Sequence, residues 1–370
     1  MTTSRSTAPS PGVIPAIRRA AAAGLATTLT GTGSAHEKWF IDDERFSTDL
    51  ASAFTPEAVW FVAAALVFFL AAWGLWRLRD RRNLLPGPEL FRASSQGLSA
   101  LYGLVPLILG VHLAVPLLIA GVSGNLLSPD VVLGGGWRYV LGLVQTGAAL
   151  SLFYGGFTRA AALVLAGLWL LGLWVASPVA MLENAHILGF AAFFFLAGRG
   201  PLSIDRLIFP RLEPPARLVR RAVPALRVFA GVSFIVVAFT EKLANLPLAL
   251  AFLERYPLNF TGEMGLPIPD SPFILGAGAV ELAIGLLLLF NVFVRETIVV
   301  AWLPFNLTLT VFNWVELVGH LPFYGIMAIL LVWGGSSLDR DLWVAGVCRE
   351  PPDQARKYSG VAATTETNRD

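Results

Sequence analysis

Two pairs of acidic and histidine residues have spacings that suit chemistry on a helix. Glu316 and His320 are four residues apart, and Glu183 and His186 are three apart, so each pair lies on one helix face. A carboxylate that orients an imidazole suits proton transfer or metal binding. Each pair could instead form an interfacial cap, because a glutamate near a helix N-terminus interacts favourably with the helix dipole.

A further candidate, Glu281, lies inside the apolar run AVELAIGLLLL. An ionisable group in the bilayer is costly and is usually retained for a partner or a pathway. We therefore expect Glu281 to exchange protons, assisted by Glu316 and His320, with Glu241 and Lys242 setting the local charge. The alternative is a protonated acid that is hydrogen-bonded to a neighbouring helix.

The elements that position these residues follow from composition. The 370 residues are 55% hydrophobic and 14% charged, with a mean hydropathy of +0.66, which indicates an all-α polytopic membrane protein. About nine apolar runs are long enough to span the bilayer. They lie at 57–76, 98–120, 138–156, 160–177, 184–198, 226–243, 272–291, 297–315 and 318–334.

The spans predict one leading helix followed by two four-helix bundles, because the second half of the chain repeats the first. His186 reappears as His320, 134 positions later, and Gln145 aligns with Glu281 at an offset of 136. Arg159 aligns with Arg295 at the same offset. An even number of spans in each copy keeps both copies in one orientation, which makes this a parallel repeat.

The distribution of basic residues predicts the topology. Arginines concentrate on one side of the alternating loops, which places that side in the cytoplasm and the mature N-terminus outside. Cys348 then falls in the cytoplasmic tail, and a single cysteine excludes a disulfide relay within this chain. The predicted organisation is a signal peptide over 1–35, an outer segment, first transmembrane helix and basic loop over 36–97, a degenerate first module over 98–210, a second module over 211–345 and a disordered tail over 346–370.

His36 is a possible metal ligand. Cleavage after Ala35 would make His36 the first residue, and its amino group and imidazole could then bind copper. The alternative is an ordinary mature N-terminus. The net charge of +2 follows mostly from the topology, so nucleic acid is not an expected partner.

The second module resembles the DoxX family of four-helix bacterial membrane proteins. The segments that carry the resemblance are RVFAGVSFIVVAFTEKLAN (227–245), GLPIP (265–269), VELAIGLLLLFNVFVR (280–295) and GGSSLDR (334–340). Arg227, Lys242, Glu281 and the 265–267 loop match family positions, whereas the first module lacks the lysine and carries Gln145. The resemblance implies a plasma-membrane protein linked to redox metabolism, similar to small subunits of thiosulfate:quinone oxidoreductases.

These observations favour a redox-associated membrane subunit. A quinone-like head group would bind near the outer face of the second module, and this candidate site comprises Glu241, Lys242, Glu281, Glu316 and His320. No flavin, haem or iron–sulfur signature is evident, so a soluble or membrane oxidoreductase would supply electrons. Two alternatives remain: a small-solute or ion transporter with Glu281 lining the path, or a non-catalytic membrane scaffold for soluble redox enzymes.

Overall fold

The chain is an all-α polytopic membrane protein. The computed structural model describes residues 38, 46, 48–88, 94–129, 131–209, 214–333 and 337–348, so the predicted signal peptide, His36 and most of the predicted tail lie outside the described residues. The described helices are α1 (Pro56–Leu78), α2 (Ser95–Ser123), α3 (Trp137–Tyr154), α4 (Thr158–Val175), α5 (Pro178–Glu183), α6 (Ala185–Ala197), α7 (Ile204–Ile208), α8 (Ala216–Val237), α9 (Leu246–Arg255), α10 (Asp270–Phe290), α11 (Val294–Val332) and α12 (Ser337–Cys348). A π-helical segment, Ala238–Leu243, extends α8.

Five of the described helices are long and apolar enough to cross a membrane: α1, α2, α4, α8 with its π segment, and α10. The predicted spans at 184–198 and 318–334 correspond to shorter apolar helical stretches, 185–197 and 316–332. The 18 residues of α3 cover most of the predicted span 138–156. The described residues therefore carry fewer full-length spans than the nine that hydropathy predicts.

The largest departure from the predicted spans is α11, which is one helical segment of 39 residues where two helices were expected. A straight helix of that length would measure about 58 Å, well beyond a hydrocarbon core of about 30 Å. However, the Tyr324 hydroxyl donates to the Phe305 carbonyl at 2.9 Å, and Arg295 Nε donates to the Leu331 carbonyl at 3.2 Å. These contacts require α11 to double back between Phe305 and Tyr324, so the two predicted spans are its two arms.

The helix α8 lies at the centre of the fold and packs most extensively against α6 and α10. Glycines permit these contacts: a Cβ atom at Gly231 of α8 would lie 2.8 Å from the Gly285 carbonyl oxygen of α10. One hydrophobic core contains residues of both predicted modules. By contrast α1 packs on α10, and only 17% of its apolar window is buried, so most of this helix is available to lipid.

The α3–α4 and α10–α11 connections have the same pattern of left-handed backbone. Gly155 and Phe157 have φ of 71° and 52°, and Asn291 and Phe293 have φ of 61° and 43°. Residues other than glycine rarely adopt positive φ. The two patterns are 136 positions apart, which is the offset of the predicted repeat.

The C-terminal helix α12 packs against α2 and α8. Trp343 Nε1 donates to the Val219 carbonyl at 2.7 Å, and Arg220 pairs with Asp341 at 2.7 Å. Residues 346–348, expected in a disordered tail, instead complete this helix. Cys348 is 4% exposed, so a thiol reagent would reach it poorly from either side of the membrane.

Candidate functional site

One end of the helix bundle, here called the carboxylate face, carries Glu183, Glu241 and Glu316. All three residues are at most 3% exposed. Lys38 forms an ion pair with Glu183, although the two residues are 145 positions apart. The chain before α1 also contacts this face, since Thr48 Oγ1 donates to the Thr240 carbonyl at 3.3 Å. The N-terminal segment therefore contributes a cation to the carboxylate face.

The environment of Glu183 favours its protonated form more than water does. Burial raises the pKa of this carboxyl, the positive charge of Lys38 lowers it, and the negative charge of Glu241 raises it again. The net direction is upward because removal from water disfavours the carboxylate. Glu183 therefore lies close enough to both Lys38 and Glu241 to interact with each, and it holds its proton to higher pH than it would in water.

The π-helical segment Ala238–Leu243 orients the charged residues at the end of α8. Its geometry is marked by the Ala244 amide, which donates to the carbonyl of Phe239, five residues earlier, at 2.8 Å. The wider turn places Glu241 near Glu183 and directs Lys242 towards α10. Such π-helical turns are frequent at functional sites.

Lys242 and Glu281, both predicted as site residues, form an ion pair with Nζ and Oε1 3.1 Å apart. A Cβ atom at Gly278 would lie 3.0 Å from Lys242 Cβ, so this glycine provides room for the lysine stem one turn before Glu281. The side chains of Lys242 and Glu281 are 13% and 28% exposed. The pair can therefore be reached from outside the helix bundle.

Gln145, which aligns with Glu281 in the predicted repeat, is fully buried and has a different role. Its carbonyl oxygen accepts a hydrogen bond from the Leu127 amide at 2.7 Å. Its amide nitrogen donates to the carbonyls of Leu117 at 3.0 Å and Asn125 at 3.4 Å. Gln145 thus fixes the loop after α2 to α3, which is a structural function.

Glu316 and His320 lie on one helical stretch, as their spacing predicts, with Oε1 and Nδ1 3.1 Å apart. The ring nitrogen is not aligned for a hydrogen bond, so the contact is electrostatic. The second oxygen of Glu316 is buried without a hydrogen-bond partner among the described residues. His320 packs on the ring of Phe305, with centroids 4.2 Å apart.

The expected pairing of Glu183 with His186 on one helix is wrong, because Asn184 separates α5 from α6. His186 Nδ1 lies 3.1 Å from Ser233 Oγ on α8. Its ring packs on Phe323, with centroids 4.5 Å apart. A cavity of about 20 Å³ beside His186 has room for about one water molecule.

Two arginines that cap helix ends were not predicted as a matched pair. Arg227 donates to the carbonyls of Leu288 and Leu289 at the end of α10. Arg199 donates to the carbonyls of Leu152 at 2.7 Å and Phe153 at 3.0 Å at the end of α3. The two pairs of acceptors are 136 positions apart, but Arg227 lies within α8, whereas Arg199 lies in the turn after α6. Aligning the two modules by identical residues does not pair Arg199 with Arg227, so the sequence repeat could not reveal their shared role.

Pro304 and Asn306 lie within the first arm of α11. Asn306 Nδ2 donates to the Trp302 carbonyl at 2.7 Å.

Among the residues that the structure describes, no group of three or more His, Cys, Asp or Glu side chains could hold a metal ion.

No family model, curated protein or solved structure matches the chain. The resemblance to the DoxX family therefore stays a prediction.

Proposed function

We propose that this protein is a redox-associated subunit of a bacterial plasma membrane that binds a quinone-like head group at Lys242 and Glu281. The observation that carries the proposal is their partly exposed ion pair in the apolar contact between α8 and α10. Lysine can donate to a quinone oxygen, and glutamate can exchange the protons that accompany quinone reduction. The head group would approach from the lipid side.

The buried carboxyl groups supply the second part of the proposed mechanism. Glu241 follows Thr240 on the same π-helical segment as Lys242 and lies near Glu183. During quinone reduction, protons would pass from these buried acids to Glu281 and from Glu281 to the head group. Glu316 and His320 would form a second proton-exchanging pair beyond Phe305. Electrons would come from a soluble or membrane oxidoreductase.

The test of the proposal is the quinone content of protein purified in mild detergent, measured by mass spectrometry of extracted lipids. We expect a quinone to copurify with the wild type and its content to fall at least about tenfold in Lys242→Gln, since a charged hydrogen bond contributes roughly 1.5–3 kcal/mol. Arg255→Gln is the matched control, because it removes one exposed positive charge nearby in the chain.

Equal quinone content in wild type and Lys242→Gln would overturn the proposed site. Recovery of a soluble oxidoreductase without quinone would favour the scaffold. If neither is recovered but a labelled solute crosses vesicles that contain the protein, the transporter hypothesis would replace the proposal.

We infer from the arginine distribution that the carboxylate face is outside and the C-terminus is cytoplasmic. Because Cys348 is buried, the orientation is best tested with new cysteines in a Cys348→Ser background. An impermeant thiol reagent applied to intact cells should label Ala51→Cys, which is exposed before α1, and should miss Leu207→Cys, which is 82% exposed. The reverse labelling pattern would invert the topology.

A further inference from the structure

A cavity of about 360 Å³ lies at the opposite end of the bundle from the carboxylate face, here called the arginine face. It opens beside the start of α4, and Arg159, Arg199 and Arg206 line it. A volume of this size falls within the range of small-molecule sites. Three guanidinium groups in one cavity favour an anionic ligand.

Arg199 is the best-fixed cation in this cavity. It is 2% exposed, and Nε and Nη2 are held by the carbonyls at the end of α3. The remaining nitrogen, Nη1, is buried without a hydrogen-bond partner among the described residues. Burial lowers the pKa of Arg199 to about 10. A bound anion would offset this cost of burying the charge.

Arg159 differs from Arg295, its aligned residue in the second module, in what its guanidinium group contacts. Arg295 donates to the carbonyls of Leu331 and Val332, both at 3.2 Å, and so caps the end of α11. Arg159 lies in the equivalent position, but its Nη2 is buried without a hydrogen-bond partner among the described residues. It lines the cavity. The first module therefore has an arginine available where the second has a helix cap.

Asp205, the acidic residue among the described lining residues, already accepts hydrogen bonds from the backbone. Asp205 accepts hydrogen bonds from the amides of Phe157 at 2.5 Å and Thr158 at 2.8 Å, which caps the N-terminus of α4. The described lining residues include this one carboxylate and three arginines, so their net charge is positive.

The rim of the cavity is apolar and open. Phe157 and Phe209, which line it, are 72% and 44% exposed, and the neighbouring Leu207 and Ile208 of α7 are 82% and 59% exposed. Exposed apolar side chains beside a basic cavity suit a ligand with an anionic head and hydrocarbon chains. A fully hydrated ion would gain nothing from that rim.

We propose that Arg159, Arg199 and Arg206 bind the phosphate head group of an anionic phospholipid from the leaflet at the arginine face. The head group enters the cavity, where the guanidinium nitrogens donate to phosphate oxygens. The acyl chains lie along α7. This lipid site is separate from the pair of Lys242 and Glu281 and does not depend on it.

The test is lipid binding to the detergent-purified full chain, followed by native mass spectrometry during titration with phosphatidylglycerol. We expect Arg159→Gln to weaken binding at least fivefold, which corresponds to about 1 kcal/mol for a basic residue near a membrane surface. Arg217→Gln, at an exposed position on the same face, should leave binding unchanged. Thermal unfolding of each variant shows whether the fold is retained.

Arg199→Gln provides a second, more disruptive variant, because it also removes the cap of α3. Phosphatidylcholine should bind at least fivefold more weakly than phosphatidylglycerol. Equal binding of the two lipids, or equal loss in Arg159→Gln and Arg217→Gln, would overturn the site. If inorganic phosphate at millimolar concentration stabilises the wild type but phosphatidylglycerol does not, the cavity takes free phosphate and the lipid assignment is wrong.

Discussion

Replacing Gln145 with alanine is expected to lower the free energy of unfolding by about 2–4 kcal/mol, since each buried polar group left unpaired costs about 1–3 kcal/mol. The variant leaves the Leu127 amide and the Leu117 carbonyl without their side-chain partner. Gln145 is fully buried, so water cannot replace either hydrogen bond without entering the protein. Thermal unfolding in mild detergent, followed by tryptophan fluorescence, measures the loss.

Two further variants show whether hydrogen bonding is the cause. Leu143→Ala, on the same helix and 74% exposed, should unfold at nearly the wild-type temperature. Gln145→Glu keeps an acceptor for the Leu127 amide, but its ionised form has no donor for the Leu117 carbonyl. It should therefore be destabilised as well. Wild-type stability in Gln145→Ala would show that the loop after α2 is held by other contacts.

The contrast between Gln145 and Glu281 explains why part of the site could be predicted from sequence. The repeat offset identifies the two residues as aligned, and the apolar surroundings of Glu281 mark it as a costly group. Their different roles depend on neighbours that the alignment does not specify. Gln145 contacts a loop of its own module, whereas Glu281 contacts Lys242 on the π-helical segment that ends α8.

Local spacing predicted the contact between Glu316 and His320 because both residues lie on one helical stretch. The same argument failed for Glu183, where the helix breaks at Asn184 and the partner is Lys38, far away in the sequence. An ion pair between residues so far apart in the chain produces no periodic pattern in the sequence, so it could not be predicted from spacing.

The hydropathy pattern located the apolar segments but not the path of α11. Two apolar runs flank residues 316–317, and the polar Glu316 between them suggested a loop. The helical backbone nevertheless continues, and the reversal is visible only from contacts between the arms, such as Tyr324 with Phe305.

Replacing Glu281 with glutamine should abolish most quinone-linked activity while the protein remains folded. A positioned general acid or base contributes roughly 10²–10⁴-fold to a rate, so we expect activity to fall at least about 100-fold. Glutamine retains an oxygen that can accept a hydrogen bond from Lys242, but it cannot exchange a proton. The measurement is quinone reduction in membranes supplied with the oxidoreductase that copurifies, with thermal unfolding as the check on folding.

A charge swap separates proton exchange from a structural ion pair. In the double variant Lys242→Glu and Glu281→Lys, opposite charges still face each other across the 3.1 Å contact between α8 and α10. If the pair serves only to hold the helices together, the swap should restore both stability and activity. If Glu281 exchanges protons with a bound head group, the swap should restore stability alone, because the carboxyl group then projects from α8 and a lysine takes the proton-exchanging position. Recovery of activity to within a few-fold of wild type would therefore reject the chemical role of Glu281 and leave the ion pair as a packing device.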